Sequence, residues 1–161
     1  MAVTLIPVLG LPLVRAGDDI SQLIATALDR EGARLGEGDI VAVAQKIVSK
    51  AEGRVVKLAT VTPSTRAREI AKTVGKDPRL VELILSESLA VVRAAPNVLI
   101  VEHRLGLVMA NAGVDQSNVD AEGGEAALLL PLDPDASALR LKAALEARYA
   151  VRLGVVVTDS F

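Results

Sequence analysis

Residues 40–50 read Ile-Val-Ala-Val-Ala-Gln-Lys-Ile-Val-Ser-Lys, an apolar run that passes directly into a polar segment. The run Ile40–Ala44 shows no polar alternation, which predicts a strand buried on both faces. If the chain becomes helical from Gln45, Lys46 and Lys50 lie on one face because they are four residues apart. The stretch therefore predicts a core strand that leads straight into an amphipathic helix.

The rest of the chain continues this mixture of short strands and capped helices. Further apolar runs predict strands at 4–8, 54–58, 89–93, 98–101, 107–110 and 151–158, and Val155–Val157 is expected to be buried on both faces. An apolar face predicts a helix over 19–30, and caps or prolines predict helices over 65–74, from 78 and from 134 to 149. About five helices among seven or eight strands, without regular βαβ alternation, predict an α+β fold with a mixed sheet.

No internal repeat and no linker interrupts the chain, so residues 1–161 are predicted to belong to one domain. A strand that reaches Thr158 is followed by only three residues, Asp159–Phe161. Domains seldom end in this way, and the domain is therefore expected to be incomplete at Phe161.

Composition excludes several classes of protein. One Phe, one Tyr and no Trp provide no base-stacking platform, and a net charge of −2 with scattered basic residues provides no footprint for a phosphate backbone. The N-terminus lacks a basic start, and charged residues interrupt every apolar run before it reaches the length of a membrane span. A soluble, cytoplasmic protein without nucleic-acid or membrane partners is expected.

The chain has no Cys and a single His, His103. Thiolate nucleophiles, disulfides and the usual zinc sites are therefore excluded, and a metal must be held by oxygen atoms, as Mg²⁺, Mn²⁺ and Ca²⁺ are. His103 lies just beyond a predicted strand and is assigned no catalytic role. The glycine-rich fingerprints of P-loop and Rossmann nucleotide sites are missing from the sequence.

Three predicted strands are followed by polar clusters. After the first strand, the two lysines of 46–50 suit phosphate, although a solvated lysine face is the commoner outcome for such a pair. At 110–113, small residues leave space for a ligand before Asp115, Ser117 and Asn118, a cluster that is equally typical of an Asx-turn. After the last strand, Asp159 and Ser160 suit a metal, with a turn as the equal alternative.

Two motifs, A-G-V-D-x-S-N at residues 112–118 and P-x-D-P-D-x-S at residues 131–137, form in this order a highly specific family signature. With them, the chain resembles the coenzyme F420:L-glutamate ligase family along nearly its whole length. Matching segments also lie at residues 10–14, 17–20, 38–53 and 157–160.

The resemblance implies GTP-dependent ligation of L-glutamate to the carboxylate of a deazaflavin precursor, through an acyl phosphate. It implies Mg²⁺ or Mn²⁺, small-molecule substrates and a homodimer. Relatives continue with further nucleotide contacts past the position of Phe161, so the 161-residue chain alone is expected to ligate glutamate poorly.

Site residues follow from the same resemblance, position by position. Residues implied to bind the nucleotide are Leu11, Pro12, Leu13, Val14, Gln45, Lys50 and Asn118. Asp115 and Asp159 are implied to be catalytic and to hold the metal with Ser160. Residues 133–137 are interpreted as a helix cap.

Two alternatives stay open at this point. One is a non-catalytic fragment that binds nucleotide or metal and keeps the ligase fold. The other is an α+β interaction domain in which Asp115 and Asp159 are only turn residues. Binding of metal and GDP separates the first alternative from the second, and glutamate ligation separates the enzyme from both.

Overall fold

The structure, a computed structural model, describes residues 3–117 and 125–159. These residues form five α-helices and seven strands, which confirms the α+β class. The helices are α1 Ile20–Glu31, α2 Gln45–Ala51, α3 Thr65–Val74, α4 Pro78–Ser86 and α5 Pro134–Tyr149. The strands are β1 Ile40–Ala44, β2 Val55–Lys57, β3 Ser88–Ala95, β4 Val98–His103, β5 Val108–Ala110, β6 Ala126–Leu128 and β7 Gly154–Thr158.

The chain divides into two compact units and is not built around a single sheet. Unit 1 consists of Met1–Gly53 and Pro131–Phe161, and unit 2 of Arg54–Leu130. Within the described residues, β1 and β7 form a parallel pair, β2 and β6 an antiparallel pair, and β3–β4–β5 an antiparallel sheet. The prediction of one mixed sheet is therefore wrong, because the parallel strands belong to unit 1 and the antiparallel strands to unit 2.

Unit 1 packs helices on one face of the β1–β7 pair. Val41 and Val43 are buried, whereas the alternate residues of β1 are exposed. The core that they join comprises Ile24, Leu28, Val41, Val43, Val48, Leu141, Leu145 and Leu153. Burial of both faces was predicted for β1 and for 155–157, and this is wrong in both strands because only one face meets helices.

The predicted strand at 4–8 does not form. This segment has no regular secondary structure, and Leu5 and Ile6 are largely exposed. None of the described strands pairs with it, so its backbone lacks the ladder that would hold it extended. Val8, the last residue of this segment, and Leu11, which follows it, pack against the core of unit 1.

Helix starts agree with the sequence because their signals are local. The Asp19 carboxylate accepts from the N–H of Gln22 at α1, and Ser64 Oγ accepts from Ala67 N–H at α3. Asp133 Oδ1 accepts from Ala136 N–H at α5, which confirms the interpretation of residues 133–137 as a helix cap. Each cap satisfies a backbone donor that the first turn leaves without a partner.

Unit 2 packs the inner face of its three-stranded sheet on α3 and α4. Leu99 and Val101 of β4 are buried with Val74, Val81 and Ile84 of the two helices. The sequence did not predict β6, which pairs with β2.

Candidate functional site

In unit 1, the pairing of β1 with β7 brings two predicted site residues to one edge. Ala44 is in register with Thr158, so the next residues, Gln45 and Asp159, both follow the carboxyl ends of neighbouring parallel strands. Thr158 Oγ1 also donates to Val43 O at 3.4 Å. Such an edge is where open parallel sheets commonly bind ligands. Asp159 is exposed there.

Helix α2 starts directly at this edge. Gln45 is only 5% exposed, and its Oε1 accepts from Ser49 Oγ at 2.9 Å. This bond turns the Gln45 side chain into the buried side of the helix. The contact of Gln45 with nucleotide stays a prediction. Lys46 and Lys50 are half-buried and occupy one face of the helix, as expected.

The predicted nucleotide segment Leu11–Val14 belongs to the same unit and has no regular secondary structure. Its Leu13 side chain is 75% exposed, while Leu11 packs partly on the core. Shortly after this segment, Gly17 N–H donates to Ala51 O at 2.8 Å, at the last residue of α2. The bond places the chain that follows Val14 at the same end of α2 as Lys50.

In unit 2, Asp115 is the centre of a turn. Its backbone exchanges two hydrogen bonds with Leu128, at 3.0 and 2.7 Å. Its Oδ1 accepts from Ser117 N–H at 2.7 Å, and its Oδ2 accepts from Ser117 Oγ at 2.8 Å. This is the Asx-turn alternative.

The small residues before Asp115 do not leave open space for a ligand. Gly113 has φ +66°, and a Cβ added to it would lie 2.8 Å from Leu130 Cγ. Ala112 is fully buried. The prediction of close ligand approach is therefore wrong at Gly113, because the Leu130 side chain already fills the space.

The donor chemistry of the predicted metal site fits a hard cation. Asp115 and Asp159 offer carboxylate oxygens, which Mg²⁺ and Mn²⁺ prefer. Across 3–117 and 125–159, however, no three His, Asp or Glu side chains cluster as a metal centre. Asn118 and Ser160, implied by the resemblance, lie outside the described residues. Metal binding by Asp115 and by Asp159 therefore stays a prediction.

Sequence inspection missed the role of Glu52. Its carboxylate accepts from Leu132 N–H at 2.9 Å and from Ser137 Oγ, and it forms an ion pair with Arg140 at 3.7 Å. The signal was present, since Glu52 and Ser137 both lie in segments that carry the family resemblance. Glu52 thus fixes the start of α5 to the end of α2.

A cavity of about 350 Å³ lies beside Glu52 in unit 1. Asp18, Asp19 and Glu52 line it together with one basic residue, Arg140. Three carboxylates against one guanidinium repel phosphate, so this cavity does not suit a nucleotide.

Unit 2 contains a buried charge network that the sequence did not reveal. Glu87 Oε2 accepts from Arg54 Nη2 at 2.7 Å and from Arg104 Nε at 3.0 Å. Burial alone would raise the pKa of Glu87, but the hydrogen bonds from the two arginines hold it below its ordinary value. Arg54 Nε also donates to Leu130 O, which ties the network to the end of the unit.

His103 belongs to this network and is fully buried. Its Nδ1 accepts from Leu105 N–H at 3.0 Å, and its Nε2 lies 3.6 Å from Glu87 Oε2. Burial, reinforced by the charge of Arg104, lowers the pKa of His103. These contacts give the histidine a structural role, in agreement with the sequence interpretation.

Comparison with known proteins gives consistent matches. The family model described as F420-0:gamma-glutamyl ligase matches residues 9–161. The chain is 46% identical over 160 residues to the coenzyme F420:L-glutamate ligase of Methanothermobacter thermautotrophicus, covering 99% of this chain and 62% of that protein. It is 47% identical over 147 residues to the protein of the same name from Methanopyrus kandleri, covering 91% and 55%.

A third relative, the coenzyme F420:L-glutamate ligase of Archaeoglobus fulgidus, is 42% identical over 161 residues, and the match covers 61% of its length. The chain thus spans 55% to 62% of the length of these three relatives. The expectation that the domain is incomplete at Phe161 stays a prediction, as do the homodimer and the cytoplasmic location. Among the described residues, no helix is long and apolar enough to cross a membrane.

Proposed function

Because the chain belongs to the F420-0:gamma-glutamyl ligase family, we propose that the protein carrying it joins L-glutamate to a deazaflavin precursor of coenzyme F420. The observation that carries this proposal is the 46% identity to a coenzyme F420:L-glutamate ligase over 99% of the chain. The bond formed is an amide between the glutamate amine and a carboxylate of the precursor.

Amide formation from a carboxylate requires activation, which we assign to GTP. The carboxylate oxygen takes the γ-phosphoryl group, and the bond from this group to GDP breaks. The glutamate amine then attacks the acyl carbon of the acyl phosphate, loses a proton and expels inorganic phosphate. Phosphoryl transfer depends on positioning and charge neutralisation rather than on a protein nucleophile, so a chain without Cys suits it.

Four features of unit 1 support a nucleotide site there. Lys50 supplies a cation near the end of α2, and the exposed Leu13 supplies apolar surface for a base. The hydrogen bond from Gly17 N–H to Ala51 O holds the chain that follows Leu13 at the end of α2 that carries Lys50. Asp159 offers its carboxylate directly after β7.

We propose that Asp159 in unit 1 and Asp115 in unit 2 each use their carboxylate oxygens as ligands for Mg²⁺ or Mn²⁺. A bound divalent cation neutralises charge on phosphate oxygens during transfer. The residues of the chain do the remaining work: Lys50 binds phosphate, and the segment 11–14 orients the base.

We expect GDP to bind this chain in a manner that depends strongly on Mg²⁺ or Mn²⁺. Both proposed ligands are carboxylates, which repel phosphate unless a cation lies between them. Titration calorimetry with GDP, in the presence of metal and then of a chelator, measures the dependence. Equal affinity under both conditions would remove the metal from the site.

Two lysines of α2 provide a matched pair for the same titration. Lys50→Ala should lower GDP affinity about tenfold or more, as expected for loss of a charged contact with phosphate. Lys46→Ala removes the same charge four residues earlier and should have a smaller effect. Equal losses in the two variants would reduce the role of Lys50 to general surface charge.

A further inference from the structure

The last turn of α2, which carries Lys50, depends on contacts outside the helix. α2 has seven residues, and the side chain of Ala44, which precedes it, offers no oxygen to cap it. Helices of this length are not stable alone in water, so tertiary contacts must hold them. Glu52, the residue that directly follows α2, makes such contacts, and its side chain is only 18% exposed. The position of Lys50 is therefore coupled to the position of Glu52.

Glu52 directs its carboxylate at the start of α5. Its Oε2 accepts from Leu132 N–H at 2.9 Å, and its Oε1 accepts from the hydroxyl of Ser137. Ser137 is buried, and its Oγ accepts in turn from Arg140 Nη2 at 2.7 Å. A carboxylate in contact with a nucleotide would also repel phosphate. Glu52 is therefore an anchor between two helices and not a nucleotide ligand.

The chain that follows the predicted nucleotide segment Leu11–Val14 rests on the residues on either side of Glu52. Gly17 N–H donates to Ala51 O at 2.8 Å. On the other side, a Cβ added to Gly53 would lie 3.5 Å from Ala16 Cβ, so Ala16 lies against this glycine. A displacement of residues 51–53 therefore moves both Lys50 and the chain after Val14.

We propose that Glu52 is a positioning residue for the nucleotide site of unit 1, and that it holds Lys50 and the chain after Val14 in place by anchoring α2 to α5. The inference rests on the proposed function, because that function places the nucleotide in unit 1. Without the hydrogen bonds that Glu52 accepts, residues 51–53 can move away from α5. A misplacement of about 1 Å in groups that hold a substrate can cost about 10²-fold.

Titration calorimetry with GDP and Mn²⁺, on the full natural polypeptide that carries this chain, tests the proposal. Glu52→Ala should lower GDP affinity about tenfold or more. Glu52→Gln should stay within about threefold of the unmodified protein, because its amide oxygen can accept from Leu132 N–H and its amide N–H can donate to Ser137 Oγ. Unchanged affinity in Glu52→Ala, or equal losses in the two variants, overturns the proposal.

Glu146→Ala is the matched control at the opposite end of α5. The Glu146 carboxylate also accepts from a backbone N–H, that of Leu153 at 3.1 Å, and pairs with a cation, Lys142 at 3.7 Å. This variant should keep its GDP affinity, and a loss equal to that of Glu52→Ala contradicts the proposal. Circular dichroism melting is recorded for every variant. If Glu52→Ala does not fold, Ser137→Ala, which removes one of the bonds that Glu52 accepts, decides by weakening GDP binding or leaving it unchanged.

Steady-state kinetics separate positioning from a loss of folded protein. Glu52→Ala should raise KM for GTP about tenfold and leave KM for glutamate unchanged, whereas partial unfolding would lower kcat and leave both KM values unchanged. If the unmodified protein binds GDP but forms no glutamylated product, the proposed ligase function fails, and the GDP titrations still decide the role of Glu52. If the unmodified protein does not bind GDP, the nucleotide site and the role of Glu52 are both overturned.

Discussion

Replacing Asp159 with asparagine is expected to lower turnover about 10²–10³-fold in the full natural polypeptide that carries this chain. Asp159 is exposed and directly follows β7, at the edge where β1 continues directly into helix α2. Asparagine keeps the size of the side chain and supports a turn, but it loses the charge that we propose holds a divalent cation. Product formation is followed by mass spectrometry.

The same substitution should change the free energy of unfolding by less than about 1 kcal/mol, since Asp159 is exposed. Asp135→Asn is the matched control, because it removes another exposed carboxylate of unit 1, in the first turn of α5. This control should retain normal turnover. An Asp159→Asn protein that melts early yet turns over normally would make Asp159 a structural turn residue.

A large effect on stability is expected in unit 2. Glu87→Gln should lower the free energy of unfolding by about 2–3 kcal/mol, because it leaves Arg54 and Arg104 without their shared counter-charge. The value lies at the low end for buried pairs, since the Arg104 side chain is 29% exposed to solvent. Urea denaturation at neutral pH measures the difference.

Glu69→Gln, an exposed position on α3, provides the control and should change stability by less than about 0.5 kcal/mol. The difference in the free energy of unfolding between the Glu87→Gln variant and the unmodified chain should also become smaller in acid. The pKa of Glu87 is lowered by folding, so its stabilising effect is present above its ordinary value of 4.5 and is lost as the pH falls through the folded pKa. Equal free energies of unfolding for the Glu87→Gln and Glu69→Gln variants at neutral pH would contradict the stabilising role of the Glu87 network.

The helix boundaries could be predicted because caps act over three or four residues. Ser64, Asp77 and Asp133 each precede a helix and bond to its first turn. Strand pairing could not be predicted in the same way, since partners such as β1 and β7 are far apart in sequence. Hydrophobicity alone therefore did not reveal that β1 buries only one face.

The candidate site could likewise be predicted only where the signal is local in sequence. Sequence placed Gln45 and Asp159 each at the end of a strand, but only the register of β1 with β7 shows that both follow the same edge. Gly113 was misinterpreted because Leu130, which fills its space, lies in another segment. Small residues before a polar cluster are equally consistent with ligand approach and with tight packing.

Glutamate ligation itself is the measurement that tests the proposed function most directly. F420-0, glutamate, GTP and Mn²⁺ are incubated with the full natural polypeptide that carries this chain, and the products are analysed by mass spectrometry. The account predicts a glutamylated precursor, with GDP and phosphate formed in equal amounts and no product when GTP is omitted. GDP binding without any glutamylated product, or product formation that does not depend on a nucleotide, would contradict it.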